Sequence, residues 1–96
     1  MSSKKVVIDI RKVCFDKSIK NKDVTEEFGV SGVSLLNWRN EAPDVVKGIK
    51  YSLNQNPGID VLKVLKNWPK KPHVLQFVFD FMEKHDCKFT DIVLEN

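Results

Sequence analysis

Apolar positions recur along the chain at three- and four-residue intervals, broken by short polar, glycine-bearing or proline-bearing stretches, and this spacing predicts a succession of helices. Val6, Val7, Ile10, Val13, Cys14 and Phe15 form the first stripe and predict a helix over about residues 5–18. β-branched residues crowd its first half, so a strand over residues 6–10 is the competing expectation; the stripe, however, runs longer than an ordinary strand. After the polar break Lys20, Asn21, Lys22 and Asp23 comes a short apolar-periodic piece, residues 24–28, closed by Gly29. Glycine takes up the left-handed backbone that ends a helix and opens a tight turn. Ser31 stands where a hydroxyl can cap the next helix, with Ser34 three residues on. That helix carries Leu35 and Trp38 on one side and stops before Pro43, because proline disfavours helical geometry at Ala42.

In the second half, Val45, Val46, Ile49 and Leu53 mark a helix that ends in the breaker run Asn54, Gln55, Asn56, Pro57, Gly58. Ile59, Val61, Leu62, Leu65 and Trp68 predict another, ended by Pro69, and residues 69–72 form a stiff basic connector. Val74, Leu75, Phe77, Val78, Phe81 and Met82 then predict a helix over about residues 73–85. Thr90 and Asp91 start a last short turn through Ile92, Val93 and Leu94. With no internal repeat and no flexible linker, the expected fold class is all-α, a compact bundle of five or six short helices in a single domain over residues 1–96.

Size and composition narrow what such a bundle can do. The 96 residues suffice for one hydrophobic core but not for a catalytic domain plus a regulatory one. The fractions of 42% apolar and 30% charged residues are those of an ordinary globular chain and leave little room for a long disordered segment. No apolar run approaches the roughly 20 residues that span a bilayer, and no signal-peptide pattern follows Met1, so a cytoplasmic location is expected. Cys14 and Cys87 lack the number and spacing of a disulfide framework and are read as reduced thiols.

The net charge of +3 hides an uneven distribution. Residues 1–22 hold seven Lys or Arg against Asp9 and Asp16, and residues 46–72 hold six lysines against Asp60. Between them, residues 23–45 carry five acids against Arg39, and residues 73–96 carry five acids against Lys84 and Lys88. Two basic stretches that bracket a recognition element suit a phosphate backbone; a solvated lysine surface has the same pattern.

Residues 21–40, NKDVTEEFGVSGVSLLNWRN, resemble the helix-turn-helix of bacterial and phage repressors, and the phage branch in particular. Val24 and Phe28 fall where the first helix of that motif turns inward, Gly29 falls at its turn, and Val30, Leu35 and Trp38 fall where the turn and second helix pack back. Two helices joined at a steep angle must share a small apolar core, while the second keeps an outward face for a groove. The resemblance is close over about 20 residues and looser over residues 5–55. It departs from the pattern at Thr25, where the family usually has alanine or glycine, and in the absence of Lys or Arg from the outward face of the second helix.

The resemblance implies a sequence-specific DNA-binding transcription regulator of the repressor kind that inserts helix 31–40 in the major groove of double-stranded DNA as a homodimer. Its base-reading candidates are Ser31, Gly32, Val33, Leu36, Asn37 and Asn40. Asn37 and Asn40 can pair with adenine edges, and Val33 or Leu36 can meet a thymine methyl, which favours A·T-rich sites. Its backbone candidates are Lys20, Lys22, Ser34, Arg39, Lys47 and Lys50, with Ser31 able to join them. The rival expectations are a protein-interaction module of the same shape and an architectural DNA binder without sequence preference.

The C-terminal apolar helix exceeds what a minimal DNA reader needs. Phe79 lies off the stripe of Val74, Phe77, Val78 and Phe81, so apolar residues cover more than one face. Such a helix is either shared with another chain, making Phe77, Phe79 and Phe81 dimer or partner contacts, or buried in its own core. No catalytic set is recognisable and no enzyme is expected. Glu26 and Glu27, adjacent on a helix, point in different directions and are read as solvated. His85 and Cys87, even with Cys14 or His73, lack zinc-site spacing, and residues 56–58 are a turn without the glycines of a phosphate cradle. No metal or cofactor is expected, and Trp38 and Trp68 are read as packing residues.

Overall fold

The structure, a computed structural model, describes residues 5–95. Its first element corrects the helix expected over residues 5–18: Val6–Ile8 is a strand, β1, and the helix α1 spans only Ile10–Lys17. The β-branched run Val6, Val7, Ile8 extends because a partner exists at the far end of the chain. That partner is β2, Val93–Glu95, which pairs antiparallel with Val6 opposite Glu95 and Ile8 opposite Val93. Asp9 then switches the backbone from strand to helix. Its N–H donates to the Ile92 carbonyl at 2.8 Å, and its carboxylate accepts from the Lys12 N–H at 3.1 Å as the N-cap of α1. Ser18, in the left-handed region at φ 57°, ends α1.

Next come α2, Asn21–Phe28, and α3, Gly32–Asn40. Gly29 between them adopts φ 64°, where a side chain would be strained, and ends α2. Ser31 caps α3 by accepting from the Ser34 N–H at 3.0 Å. Pro43 opens α4, Asp44–Gln55, and Asp60 caps α5, Val61–Lys66, by accepting from the Lys63 N–H at 3.2 Å. Trp68, expected on that helix, lies beyond its end. Pro72 opens α6, His73–His85, which stops at Asp86 in the left-handed region. The final turn expected near residue 90 is α7, Phe89–Ile92, and it runs directly into β2.

The described residues thus form an all-α bundle with seven helices and one small sheet where the chain ends meet. Its centre is α6, which buries Val74, Leu75, Phe77, Val78, Phe81 and Met82 against a core that includes Ile8, Ile10, Leu65, Phe89 and Ile92. Phe77 touches both α2 and α3. Phe28 of α2 meets it edge-on with ring centroids 5.4 Å apart, and Trp38 of α3 lies against it at 5.2 Å. Such ring pairs contribute about 0.5–1.5 kcal/mol each beyond simple area burial. One side chain of α6 therefore fixes both helices of the α2–α3 pair.

Candidate nucleic-acid interface

The α2–α3 pair is held by its inward residues and presents the rest. Val24 and Val30 are buried, Leu35 and Trp38 are half-buried against the core, and the Glu27 carboxylate, read from the sequence as solvated, lies 2.6 Å from the Lys84 ammonium of α6. At the C-terminal end, the Ala42 N–H donates to the Val6 carbonyl at 2.7 Å, so the exit from α3 is tied to β1. Trp38 is a packing residue, as its helical spacing predicts.

All six base-reading candidates, Ser31, Gly32, Val33, Leu36, Asn37 and Asn40, are exposed, and α3 contains no fully buried residue. Val33 retains 67% and Leu36 55% of its accessible surface, and Phe15 of α1 is likewise exposed, at 86%. The amides of Asn37 and Asn40 make no hydrogen bond to other described side chains. Ser31 differs from the other five: its hydroxyl accepts from the Ser34 N–H and donates to the Ser34 Oγ, both at 3.0 Å. That hydroxyl is committed to the cap, and the half-buried Ser34 hydroxyl accepts from it.

The backbone candidates divide. Lys20 and Lys22 are exposed at the start of α2 with no carboxylate within 4.0 Å among the described residues. The Arg39 guanidinium stands 4.0 Å from Asp9 and keeps 39% of its side-chain surface, so it is partly neutralised but reachable. Lys47 and Lys50 do not fit the role read for them. Lys47 bonds Glu41 and lies 3.8 Å from Asp44, closing the α3–α4 junction; that pairing raises its pKa and lowers that of Glu41. Lys50 is buried. Helix periodicity alone could not distinguish these lysines from free ones.

Phe77 and Phe81 require a correction of the same kind. Both are buried within this chain's own core and offer no surface to a second copy. Phe79 is only half-buried, and its ring lies 5.0 Å beneath the Lys71 ammonium. The apolar residues of α6 pack against α5, α7 and the Phe28 and Trp38 rings, while Gln76, Glu83 and Lys84 remain exposed.

The place of Arg11 escaped the sequence. Arg11, on α1, lies beside Lys22 and Arg39 around a groove of about 250 Å³ between α1, α2 and α3. Thr25 lines that groove, and its hydroxyl donates to the Lys22 carbonyl at 2.8 Å, so it is satisfied within α2. The uneven charge pointed to the N-terminal block as basic but could not place Arg11 against α3. In the second basic block, the ammonium groups of Lys63, Lys66 and Lys70 have no carboxylate within 4.0 Å among the described residues.

The other chemistry-bearing residues are packed. Cys14 and Cys87 are buried free thiols whose pKa values burial pushes up, which disfavours the nucleophilic thiolate. His85 packs against Phe28 and Phe81 and faces Glu27 at 3.9 Å. Among the described residues no group of three or more His, Cys, Asp or Glu is arranged to hold a metal ion, and no helix is long and apolar enough to cross a membrane. Compared with protein-family models, curated proteins and solved structures, the chain matches none of them.

Proposed function

We propose that this protein is a sequence-specific DNA-binding regulator of transcription, of the repressor kind, in which α2 and α3 act as a helix-turn-helix and α3 enters the major groove. The observation that carries this reading is the outer face of α3. Gly32, Val33, Leu36, Asn37 and Asn40 all stand free of the core on a helix that Trp38 and Leu35 hold from behind. Asparagine amides that read adenine and apolar groups that meet thymine methyls make that face a reader of A·T-rich sequence. Lys20, Lys22 and Arg39 supply phosphate contacts and the salt-dependent share of affinity.

A nine-residue helix is about 13.5 Å long at 1.5 Å per residue, which matches about four base steps of 3.4 Å. Four base pairs specify too little sequence for a regulator, so the proposal includes a homodimer on a two-fold site with half-sites about one helical turn apart. Its interface excludes the buried Phe77 and Phe81.

One observation favours a second reading. The outer face of α3 carries Val33 and Leu36 but no cation, a composition that also suits docking to another protein. A fluorescence titration of the protein against a library-selected A·T-rich duplex and a scrambled duplex, at low and physiological salt, separates the readings. Sequence-specific regulation predicts discrimination of about 10³-fold or more at physiological salt. Equal, salt-sensitive binding to both duplexes would indicate an architectural binder, and no binding at low salt would turn the search to a protein partner.

A further inference from the structure

The groove between α1, α2 and α3 has an unusual lining. Arg11, Lys22 and Arg39 contribute three cations, and no carboxylate lines it. Its remaining surface is mostly apolar: Ile10 is buried, Leu35 is half-buried, and Leu36 reaches in from the exposed face of α3. Arg39 shares its charge with Asp9 at 4.0 Å, but Arg11 and Lys22 have no carboxylate within 4.0 Å among the described residues, and guanidinium groups hold planar carboxylates through paired N–H donors. A bare inorganic anion would leave the apolar floor unmatched, whereas a neutral apolar molecule would leave the cations unmatched. An anion with an apolar body satisfies both.

Volume limits the size of that body. A cavity of about 150 Å³ holds one benzene ring, and drug-sized ligands occupy roughly 300–1,000 Å³. At about 250 Å³ this groove fits one ring and its carboxylate. Gly32 borders the same space, and a Cβ built on it would meet nothing within 4 Å, so the start of α3 leaves room for a bound molecule.

We propose that this groove is a binding site for a small aromatic carboxylate, held by Arg11 and Lys22 with its ring against Ile10, Leu35 and Leu36. Because Leu36 and Gly32 belong both to the groove and to the outer face of α3, an occupant there competes with DNA and makes the site regulatory. That last step rests on the DNA-reading role of α3; the binding of the carboxylate does not.

The test follows amide resonances of the ¹⁵N-labelled protein during titration, at constant ionic strength, with sodium benzoate, benzyl alcohol and inorganic phosphate in turn. Benzoate is expected to saturate with a dissociation constant of about 1 mM or tighter, shifting amides at Arg11, Lys22, Thr25 and Leu36. Benzyl alcohol lacks the charge and phosphate lacks the ring, so each is expected to bind at least about ten-fold more weakly. Arg11→Gln, at an exposed position, is expected to keep the wild-type melting temperature and weaken benzoate about ten-fold. The proposal is overturned if benzoate gives no saturable shift up to about 20 mM, if the shifts lie away from the groove, or if Arg11→Gln binds it equally well. Equal binding of benzyl alcohol or phosphate would also overturn it. In a duplex titration, benzoate at ten times its dissociation constant is expected to weaken DNA binding about ten-fold. Benzoate binding without any effect on DNA would remove the regulatory step, and a protein that binds benzoate but no DNA would overturn the reading of α3 while leaving the carboxylate site standing.

Discussion

α6 and α3 touch through Phe77 and Trp38, and both are rich in apolar residues, yet they use them in opposite ways. α6 buries six of its residues outright, whereas α3 buries none and leaves Val33 and Leu36 in solvent. On α6 the neighbouring elements account for the apolar residues on every side. On α3 the inward Leu35 and Trp38 pack against the core, whereas Val33 and Leu36 keep most of their surface in solvent. An apolar residue is informative about function only after the fold has claimed what it needs, and by that measure α3 points outward and α6 does not.

The contrast can be broken at either helix. Phe81→Ala opens a cavity beside Phe28 and Phe77 and is expected to cost about 3–5 kcal/mol, measured as the shift of the urea unfolding transition. Against the 5–15 kcal/mol of a typical domain this is a large share. If Phe81 instead served a dimer, the variant would stay folded and become monomeric. A smaller effect of opposite sign is expected at Gly48, in the middle of α4, where an added Cβ meets nothing within 4 Å. Gly48→Ala is expected to stabilise the protein by about 0.5–1 kcal/mol through helix propensity alone, and a loss of stability in the same unfolding assay would show that the position is crowded. Leu36→Ala is expected to change stability by no more than about 0.5 kcal/mol, because exposed leucine and alanine are both good helix formers. A loss near that of Phe81→Ala would mean that α3 belongs to the core after all.

The smallest effect concerns pH. The Lys47 ammonium bonded to Glu41 holds its carboxyl below the ordinary value of 4.5. A carboxylate with a depressed pKa in the folded state stabilises above the unfolded value and loses that contribution as pH falls through the folded one. Melting temperatures of wild type and Glu41→Gln are therefore expected to differ slightly at neutral pH and to converge below 4.5. The pair is exposed, so the difference is modest. A gap that widens in acid would contradict the assignment.

Local signals made the α2–α3 pair and α6 legible in the sequence. Gly29, Ser31, Pro43 and Pro72 act on the backbone within a residue or two of themselves, and the helices begin and end where those residues require. The strand β1 was not legible as such, because Val6 to Ile8 extend only through pairing with Val93 to Glu95 at the other end of the chain. The same limit applies to the interface. The outward face of α3 follows from its own periodicity, so its exposed positions were readable. Whether Lys47 meets Glu41, whether Lys50 is covered, and whether Arg11 joins Lys22 and Arg39 depend on how separate helices come together. The choice between core and partner contact for Phe77 and Phe81 was open for that reason: a helix that is apolar on several faces looks alike whether its neighbours belong to the same chain or to another.

The proposal that the outer face of α3 reads DNA is tested most directly by Asn37→Ala. Its melting temperature and its affinity for a selected A·T-rich duplex and a scrambled duplex are measured together. An unchanged melting temperature, a loss of about 1–3 kcal/mol on the selected duplex and nearly unchanged binding to the scrambled one are the expected results. Equal losses on both duplexes, or none on either, would contradict the assignment of α3 as the element that reads sequence.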